Sequence, residues 1–439
     1  MKLRILAQMA AMLSLASLSM PAAAKLSPAE TRMMQTVDAE QERTLAMLEK
    51  WVNQNSGSLN LEGVTKVGEM LRSELEPLGF KVQWIDMRET GRAGHIVATH
   101  KGNGRGKRLL LIGHLDTVFE PDSPFQKWER NGNDGIGPGS GDDKGGMAVM
   151  IAGLRAMHSA GTLKDAAIEV VLTGDEEDNG MPIELARRDL VAAGKRADVA
   201  LDFEGLADQD GKDIGSIARR SSGAWTLTVT ARSGHSSGIF SAGSGNGAIY
   251  ELARIIDAFR KQLPEDKLTF NVGLVGGGAT AKLDEDRIRL EATGKTNIIP
   301  ETAVARGDLR AISREQIDRV KAKMQAIVAD GRLNGATAKL EFDPDEYPPM
   351  APTEGSRAVL GKLNLVNSDM GLEQMGELDP MKRGAGDISF VAQDVDGLIG
   401  LGAASDGDHA PGEKVNIPSI WRQAKRAAIL MTRLSREKR

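Results

Sequence analysis

Apolar residues in the first half of the chain alternate between helical spacing and short, nearly continuous runs. Helical spacing predicts a long helical stretch over 27–57, which starts at a Ser27-Pro28 capping signal, and further helices over 61–79 and 143–161. The continuous runs predict buried strands over 81–87, 94–102, 108–119, 166–177 and 198–205. Helices that alternate with buried strands are typical of an α/β fold with a mostly parallel sheet.

The spacing changes near Ser216. Strict alternation of apolar and polar residues there predicts half-buried strands, and helical spacing predicts two helices between them. The strands are expected over 224–233, 267–278, 287–293, 303–312 and 338–342, and the helices over 247–262 and 313–331. This β-α-β-β-α-β order makes a small antiparallel sheet with two helices on one face, a ferredoxin-like α+β arrangement.

The pattern of buried runs resumes at 397–403, so the alternating segment interrupts the first pattern rather than following it. We therefore predict an inserted domain at 219–342 and a first domain built from 25–218 and 343–439. A chain of 439 residues is long for one compact unit, and two domains agree with that length.

The first 24 residues have the three parts of a secretory signal peptide. Lys2 and Arg4 give a positive start, an apolar stretch follows to Met20, and small residues end it at 22–24. An amphipathic N-terminal helix is the alternative. We expect a secreted or periplasmic protein, and no later run of about 18 apolar residues predicts a membrane span.

The composition argues against some classes of partner and excludes cysteine chemistry. Hydrophobic residues make up 41% and charged residues 27%, as in soluble globular proteins, and the formal net charge of -5 argues against a nucleic-acid partner. The chain has no cysteine, which suits an exported bacterial protein without disulfides. Thiolate metal ligands and a cysteine nucleophile are excluded, so any metal must be held by His, Asp and Glu.

Ionisable residues interrupt the end of the most apolar predicted strand, in "LLLIGHLDTVF". A buried charge is costly unless it is paired or holds a metal, and the His114-x-Asp116 spacing puts both side chains on one face of a strand. Asp116 is then placed to fix the orientation of the His114 ring, as carboxylates do for metal-binding histidines. The alternative is a structural histidine in the core, whose ring nitrogens are hydrogen-bonded within the protein and bind no metal.

Four more groups of polar residues follow strands or open a helix in the first domain. The Gly-rich turn 137–146 carries Asp142 and Asp143, either of which is also suited to cap the next helix. The turn is not a phosphate-binding loop, because it lacks the Lys-Ser/Thr ending and its acids would repel a phosphate. The other groups are Glu176 and Glu177 in "TGDEEDNG", Asp202 and Glu204 in "LDFEG", and His409 in "SDGDHAPGE".

In an open parallel sheet, ligands bind beyond the carboxyl ends of the strands, where these residues gather. Two histidines and several carboxylates at one sheet edge make up the ligand set of a two-metal hydrolytic centre. Solvated acidic loops are the alternative for the acids. Without thiolates, the candidate metals are Zn²⁺, Co²⁺ and Mn²⁺.

Five motifs occur in the order "GHLDTV", "DDKGG", "GDEE", "NIIP" and "DLR", and together they resemble the M20 family of metallopeptidases, in particular its glutamate carboxypeptidase and deacylase groups. The resemblance covers nearly the whole chain after the signal peptide. It implies an α/β zinc-peptidase catalytic domain with an inserted dimerisation lid, and therefore a homodimer.

The resemblance also implies a role for each site residue. The metal ligands are expected to be His114, Asp142 as the bridge, Glu177, Glu204 (with Asp202 as the weaker alternative) and His409. Glu176 is expected to be the general base and Asp116 the acid that supports His114. His235 of "ARSGHSSG" would reach a neighbouring active site and stabilise the oxyanion, although Ser236 departs from the family's usual residue there. Asn297, Arg310, Gly384 and Gly386 would bind substrate.

The predicted function is an exported exopeptidase with two divalent metal ions, most simply Zn²⁺, that cleaves the amide bond beside a free α-carboxylate and releases glutamate or another amino acid. An N-acyl amino acid amidohydrolase with the same site is one alternative. A catalytically silent binding protein on the same fold is another, although every expected ligand and the base are present in the sequence. The expected partner is a small peptide or an N-acyl amino acid.

Overall fold

The computed structural model describes residues 26–439, so the predicted signal peptide lies outside the described residues. Ten α-helices lie in this part of the chain. Their bounds are α1 Pro28–Ala39, α2 Gln41–Val52, α3 Leu61–Leu75, α4 Lys144–Ser159, α5 Ile183–Ala186, α6 Arg188–Gly194, α7 Ala248–Gln262, α8 Arg314–Ala329, α9 Glu354–Asp369 and α10 Ile417–Leu434. Within the same residues, no helix has both the length and the hydropathy needed to cross a bilayer.

Residues 26–439 also form 21 strands, several of them only two or three residues long. Their bounds are β1 Lys81–Asp86, β2 Gly94–His100, β3 Arg108–His114, β4 Glu129–Asn131, β5 Asp134–Ile136, β6 Ala167–Thr173, β7 Val199–Asp202, β8 Ala207–Gln209, β9 Lys212–Ile214, β10 Gly223–Ala231, β11 Gly234–His235, β12 Thr269–Phe270, β13 Leu274–Gly278, β14 Thr280–Leu283, β15 Leu290–Thr293, β16 Ile298–Ile299, β17 Thr302–Arg310, β18 Ala336–Phe342, β19 Gly397–Leu398, β20 Ser405–Asp406 and β21 Lys414–Asn416.

The main sheet has six strands in the order β1-β2-β6-β3-β7-β19. The strands β6, β3, β7 and β19 run parallel to one another, and only β2 runs against the others. Leu109, Leu111 and their neighbours on the central strand β3 are buried because helices cover both faces, which explains the continuous apolar run. The predicted α/β fold with a mostly parallel sheet is confirmed.

The inserted unit, residues 223–342, has its own antiparallel sheet. Its strands lie in the order β18-β10-β17, with β12 and β13 both paired to the far side of β17. The helices α7 and α8 cover one face, where Trp225, Leu227, Ile255 and Met324 form a separate apolar core. The order and the two helices on one face match the predicted ferredoxin-like arrangement.

Three local details differ from the sequence prediction. The helical stretch over 27–57 is divided into α1 and α2 at Glu40, whose carboxylate accepts a hydrogen bond from Arg155 of α4. The strand expected over 267–278 is divided into β12 and β13, and the strand expected over 287–293, observed as β15, pairs with the unpredicted β14 in a separate hairpin. The helices α5, α6 and α9 had no prediction of their own, since two of them are only four and seven residues long.

Two linkers join the inserted unit to the main sheet unit, and they pair with each other. Arg219 pairs with Met350 and Ser222 pairs with Tyr347, in both cases in antiparallel fashion. Backbone hydrogen bonds of 2.9–3.1 Å connect the members of each pair in both directions. We call these paired segments, residues 219–222 and 347–350, the hinge.

The helix α4 starts against the end of β7 without any side chain between them. A Cβ atom on Gly146 would lie 1.9 Å from the carbonyl oxygen of Phe203 and 2.1 Å from Oδ1 of Asp143. Gly153, two turns further along the same buried helix, has its nearest such neighbour at 3.4 Å, the Cε of Met431. Only the first of these two glycines is needed for the close approach of helix and strand.

We expect Gly146→Ala to destabilise the fold, because the helix must move away from β7 or the strand end must shift. Gly153→Ala is the matched control on the same helix, and it should be neutral or stabilising by up to about 1 kcal/mol through helix propensity. Urea unfolding followed by circular dichroism compares the two variants with the parent chain. Equal stability of both variants would show that the contact between α4 and β7 is not as tight as described.

Candidate metal centre and active site

The carboxyl ends of three parallel neighbours, β3, β6 and β7, meet at one edge of the main sheet. His114 ends β3 and lies opposite Thr173, the last residue of β6, while Asp202 ends β7. The acids predicted from the sequence follow these strands directly or lie on the turn that opens α4. Parallel pairing therefore brings together residues that are far apart along the chain.

The centre of this edge is the carboxylate of Asp142, which lies between two histidines. Its Oδ1 is 2.9 Å from Nε2 of His114, and its Oδ2 is 3.1 Å from Nε2 of His409. The same nitrogen of His409 is 3.2 Å from Oε2 of Glu177. One ligand atom each from His114, Asp142 and Glu177 lies within 4.8 Å of the others, a spacing that suits a metal ion. We call these four residues the metal cluster.

The turn that carries Asp142 is held from behind by the buried carboxylate of Glu413. That carboxylate accepts hydrogen bonds from the backbone N–H groups of Gly141 and Asp142 at 2.8 and 3.0 Å. The neighbouring Asp143 points away from the cluster, and its Oδ2 accepts a hydrogen bond from the backbone of His114 at 3.3 Å. Asp142 thus faces the two histidines, and Asp143 makes no capping hydrogen bond to α4.

His409 reaches the metal cluster from a loop with an unusual backbone conformation. Its φ angle is +65°, in the left-handed region that residues with a side chain adopt infrequently. Such conformations cost free energy and are concentrated at functional sites, where the surrounding structure enforces them. The imidazole of His409 remains 56% exposed, whereas that of His114 is buried, so the cluster has one open side.

Asp116 is completely buried, and its carboxylate connects three segments. It lies 3.3 Å from Nδ1 of His114 and accepts a hydrogen bond from the hydroxyl of Ser58 at 2.6 Å. It also accepts hydrogen bonds from the backbone N–H groups of Glu176 and Glu177, both at 3.1 Å. Asp116 therefore orients the histidine ring, as its sequence position suggested, and also fixes the turn that carries the two glutamates.

Glu176 lies beside the metal cluster in the cleft between the main sheet unit and the inserted unit. Burial and the nearby carboxylate of Glu204 raise the pKa of Glu176 well above its usual range. Its backbone carbonyl accepts a hydrogen bond from the hydroxyl of Tyr347 at 2.9 Å. The cleft has a volume of about 350 Å³ and is also lined by Glu177, Arg306 and Asp308.

Glu204 is bound by an arginine that sequence reasoning did not identify. Arg219 donates hydrogen bonds to the carboxylate of Glu204 and to the carbonyl oxygen of Ala385, and its Nη2 is 3.4 Å from Oδ2 of Asp202. Nη1 of Arg219 is also 3.4 Å from the carbonyl oxygen of Gly384. Nothing in the linker sequence "SIARRSSG" distinguishes this buried arginine from the solvated Lys and Arg residues elsewhere in the chain.

A second unpredicted arginine, Arg187, holds the other side of the site. It lies between α5 and α6, is 1% exposed, and donates to the carboxylates of Asp175 and Asp387 at 2.6 and 2.7 Å. It also donates to the hydroxyl of Tyr347 at 3.0 Å and to the side chain of Asn179 at 2.7 Å. Arg187 lies at helical spacing from the buried Ile183 and Leu190, and this spacing is a sequence signal for an inward-facing position.

The predicted substrate-binding residues occupy two places. His235, Asn297 and Arg310 lie on the inserted unit, and no hydrogen bond or ion pair among residues 26–439 joins them to the metal cluster. Nδ1 of His235 is 2.8 Å from the hydroxyl of Ser237, and Nε of Arg310 is 3.2 Å from Asp308.

Gly384 and Gly386 lie instead in the loop that packs on Arg219. A Cβ on Gly386 would be 2.5 Å from Cζ of Arg219, so this glycine allows the loop to approach the guanidinium.

The model of the peptidase family M20/M25/M40 matches residues 110–433, about three quarters of the chain. The chain belongs to this family. The family predicted from the motifs is confirmed, and so is the assignment of the protein as a metal-dependent peptidase or amide hydrolase.

Relatives with characterised names include carboxypeptidase G2 of a Pseudomonas species (strain RS-16), which is 28% identical over 411 residues that cover 91% of each chain. The succinyl-diaminopimelate desuccinylase of Leptothrix cholodnii is 25% identical over 201 residues, 44% of this chain and 51% of that enzyme. The M20 family thus relates this chain to enzymes named for peptide cleavage and for removal of an acyl group.

Solved structures support the fold. A tripeptidase from Staphylococcus aureus superposes with a TM-score of 0.69 at 18% identity, and covers 90% of this chain and 99% of its own. A protein from Bacillus subtilis, described as a dinuclear metal binding peptidase from the M20 family, has a TM-score of 0.63 at 15% identity, with 91% of this chain and 99% of that chain covered.

The metal cluster of this M20 chain fits divalent cations on the chemistry of its donors. Two imidazole nitrogens and the carboxylate oxygens of Asp142 and Glu177 converge, and no thiolate is present. Buried acids this close repel one another unless they are protonated or share a cation. A metal site at His114, Asp142 and Glu177 accounts for this arrangement.

We expect metal binding to release protons. Burial and the Asp142 carboxylate raise the pKa of Glu177 to about 10. Burial alone would lower the pKa of His114, but hydrogen bonds to Asp116 and Asp142 raise it well above its usual value. Both groups therefore carry a proton at pH 7 in the metal-free protein, and both must lose it to bind a cation.

Titration calorimetry with Zn²⁺ at pH 7 should consequently give a binding enthalpy that depends on the ionisation enthalpy of the buffer. The affinity should rise as the pH rises through neutrality, because fewer protons then have to be displaced. The Glu177→Gln variant should bind Zn²⁺ more weakly, and it should release one proton fewer than the parent chain on binding. A binding enthalpy that is the same in all buffers would contradict these protonation states.

Proposed function

We propose that this protein is a dinuclear metal-dependent exopeptidase of the carboxypeptidase type, which hydrolyses the amide bond beside a free α-carboxylate. The observation that carries the proposal is the placement of Asp142, whose two oxygens face two different histidines, His114 and His409. A carboxylate with one oxygen toward each of two ligand groups is suited to bridge two cations.

The residues that would hold the two cations are the metal cluster together with Glu204. Asp142 would be shared between the two cations, and His114, His409, Glu177 and Glu204 would supply the other ligands. The bound cations would supply Lewis acidity to the substrate carbonyl and to the attacking water. Zn²⁺ is the simplest choice for a set of imidazole and carboxylate ligands, and Co²⁺ or Mn²⁺ would also suit it.

Glu176 is the group best placed to move protons. Its side chain lies in the cleft beside the cluster, and the carboxylate of Asp116 fixes its backbone without using its carboxyl group. Burial and Glu204 raise the pKa of Glu176 well above its usual range, so bound cations would have to favour its ionised form before it accepts a proton. Glu176 would take a proton from water and donate it to the leaving amine.

The inserted unit would bind the substrate on the opposite side of the cleft. Arg310 has the guanidinium fork that binds a carboxylate through two parallel hydrogen bonds, and this would select substrates with a free α-carboxylate. Asn297 would hold the carbonyl group. The loop with Gly384 and Gly386 would line the pocket for the substrate side chain.

Removal of an acyl group from an N-acyl amino acid is the second candidate. It needs the same base, the same cations and the same recognition of a carboxylate, and the desuccinylase relative supports it. The two activities differ only in the group on the other side of the amide bond. The carboxypeptidase relative covers 91% of this chain and the desuccinylase 44%, so we favour the peptidase.

We expect Glu176→Gln to lower kcat by about 10²- to 10⁴-fold, because a positioned acid–base group contributes a factor of that size. The metal content should be unchanged, since Glu176 is not among the proposed ligands. Asp178→Asn is the matched control, because Asp178 belongs to the same acidic turn but is 55% exposed and pairs with Arg92.

The assay compares folyl-glutamate, dipeptides and N-acetyl amino acids, using metal-depleted protein restored with Zn²⁺, Co²⁺ or Mn²⁺. Turnover of folyl-glutamate or dipeptides supports the peptidase, and turnover of N-acetyl amino acids alone supports the deacylase. Loss of activity in Asp178→Asn as well would contradict the specific role of Glu176. No turnover of any substrate by metal-loaded protein would favour a silent binding protein.

We also propose that the protein is a homodimer that pairs through the inserted unit. Four large apolar side chains of this unit are 42–63% exposed: Phe240, Ile249, Tyr250 and Val275. The rings of Phe240 and Tyr250 are in contact, with centroids 5.6 Å apart, and the side chain of Ile249 lies against Gly277 of β13. A cluster of exposed apolar side chains is typical of an interaction surface, and a dimer would allow the exposed His235 to reach the partner's active site.

Replacing Ile249 by Asp should therefore produce monomers, because the carboxylate would be buried without a partner in the interface. Light scattering coupled to size-exclusion chromatography measures the mass directly. Leu365→Asp is the matched control, since Leu365 is 61% exposed but lies on α9 of the main sheet unit. A dimer that survives Ile249→Asp, or is lost equally in Leu365→Asp, would exclude this surface.

We finally propose export to the periplasm or beyond. The proposal rests on the signal-peptide pattern of residues 1–24 and on the absence of cysteine.

A further inference from the structure

Both linkers of the hinge carry a side chain that reaches into the site. Arg219 lies on one linker and Tyr347 on the other, and the two linkers are paired with each other. Both side chains are buried, at 2% and 7% exposure. A hinge that only connects two units needs no polar side chain in the interior of either unit.

Arg219 connects the hinge to the far side of the metal cluster. Its guanidinium binds the carboxylate of Glu204, the proposed ligand, and the backbone of Ala385 in the loop that would hold the substrate side chain. Its backbone exchanges hydrogen bonds with Met350 of the other linker. A rotation of the hinge at Arg219 therefore moves the group that orients Glu204.

Tyr347 connects the hinge to the turn of the proposed base. Its hydroxyl donates to the backbone carbonyl of Glu176 at 2.9 Å and lies 2.7 Å from the side-chain oxygen of Asn179. The hydroxyl also accepts a hydrogen bond from Arg187 at 3.0 Å. Through Arg187 it is linked to Asp387, at the end of the loop that Arg219 holds at its other end.

We infer that Arg219 and Tyr347 are positioning residues that couple the orientation of the inserted unit to the geometry of the metal ligand Glu204 and the base Glu176. Coupling is reciprocal, so cation binding would shift the inserted unit, and the orientation of the inserted unit would set cation affinity. Neither residue touches the reacting atoms.

The inference rests on the proposed two-metal site. The test uses the full-length mature chain with Arg219→Lys and Tyr347→Phe. Arg219→Lys retains the positive charge beside the cluster but cannot bind Glu204 and Ala385 together, and Tyr347→Phe removes only the hydroxyl. Arg220→Lys and Thr432→Val are the matched controls, and Thr432→Val removes a buried hydroxyl of α10 that contacts Thr162. Arg220 is the neighbouring linker residue and contacts Thr269 and Met381 instead.

Because the chain has no cysteine, two labels can be introduced at unique positions. Leu365→Cys on α9 and Lys339→Cys on β18 are exposed sites on the two units. Labelled protein is mixed with excess unlabelled protein, so that each measured distance lies within one chain. Spin-label distance measurement with and without Zn²⁺ reports the orientation of the inserted unit, and calorimetry reports Zn²⁺ affinity.

In the parent chain and both controls, Zn²⁺ should shift the distance distribution. In Arg219→Lys and Tyr347→Phe, Zn²⁺ should bind about 5- to 100-fold more weakly and leave the distance distribution unchanged. Circular dichroism verifies that each variant folds. If one variant does not fold, the result for the other variant tests the coupling. The coupling is overturned if the parent chain shows no Zn²⁺-dependent shift or if the folded variants behave as their controls. A parent chain that binds no Zn²⁺, Co²⁺ or Mn²⁺ would instead overturn the proposed function.

Discussion

The structure of the site depends on one carboxylate, that of Asp142, which lies between two histidines. Each oxygen faces one imidazole, so both imidazoles must be fixed for the carboxylate to serve both sides. His114 is fixed by the end of a fully buried strand and by Asp116, whereas His409 is fixed by a loop with a strained backbone. The buried carboxylate of Glu413 then sets the turn itself. Most of the buried polar residues at this sheet edge hold Asp142, His114 or His409 in position.

Burying so many acids requires cations, and two of them are the buried arginines Arg187 and Arg219. Arg187 and Arg219 each bind acceptors from separate segments, because the planar guanidinium has five donors in a fixed geometry. A buried arginine that lost one of these partners would leave a charge without compensation, which costs several kcal/mol. The two arginines therefore do more than balance charge, since they fix the relative positions of the loops that they join.

The fold and most residues of the metal cluster could be predicted because they leave local signals in the sequence. Continuous apolar runs gave the parallel strands, and acids that interrupt such runs, as Asp116 and Glu177 do, are conspicuous where a charge is costly. The choice of Asp142 over Asp143 came from the family motif, and spacing alone left it open. Arg219 could not be predicted, because its linker has no periodic apolar pattern, and the helical spacing of Arg187 from Ile183 and Leu190 does not identify the partners of either arginine. Their burial results from contacts with residues distant along the chain, such as Asp387 and Glu204.

The proposed catalytic residues lie on the main sheet unit, and three of the proposed substrate-binding residues lie on the inserted unit. The metal cluster, Asp116 and Glu176 all lie on the main sheet unit, so the groups proposed to act on the carbonyl belong to one sheet edge. Asn297, Arg310 and His235 lie on the inserted unit, whose separate core allows its surface to change without disturbing the cluster. Substitution on the inserted unit can therefore alter which carboxylate or acyl group is held, while the cations and the base remain as they are. Under the proposed function, the choice between a peptide and an N-acyl amino acid would depend on the inserted unit together with the loop that carries Gly384 and Gly386.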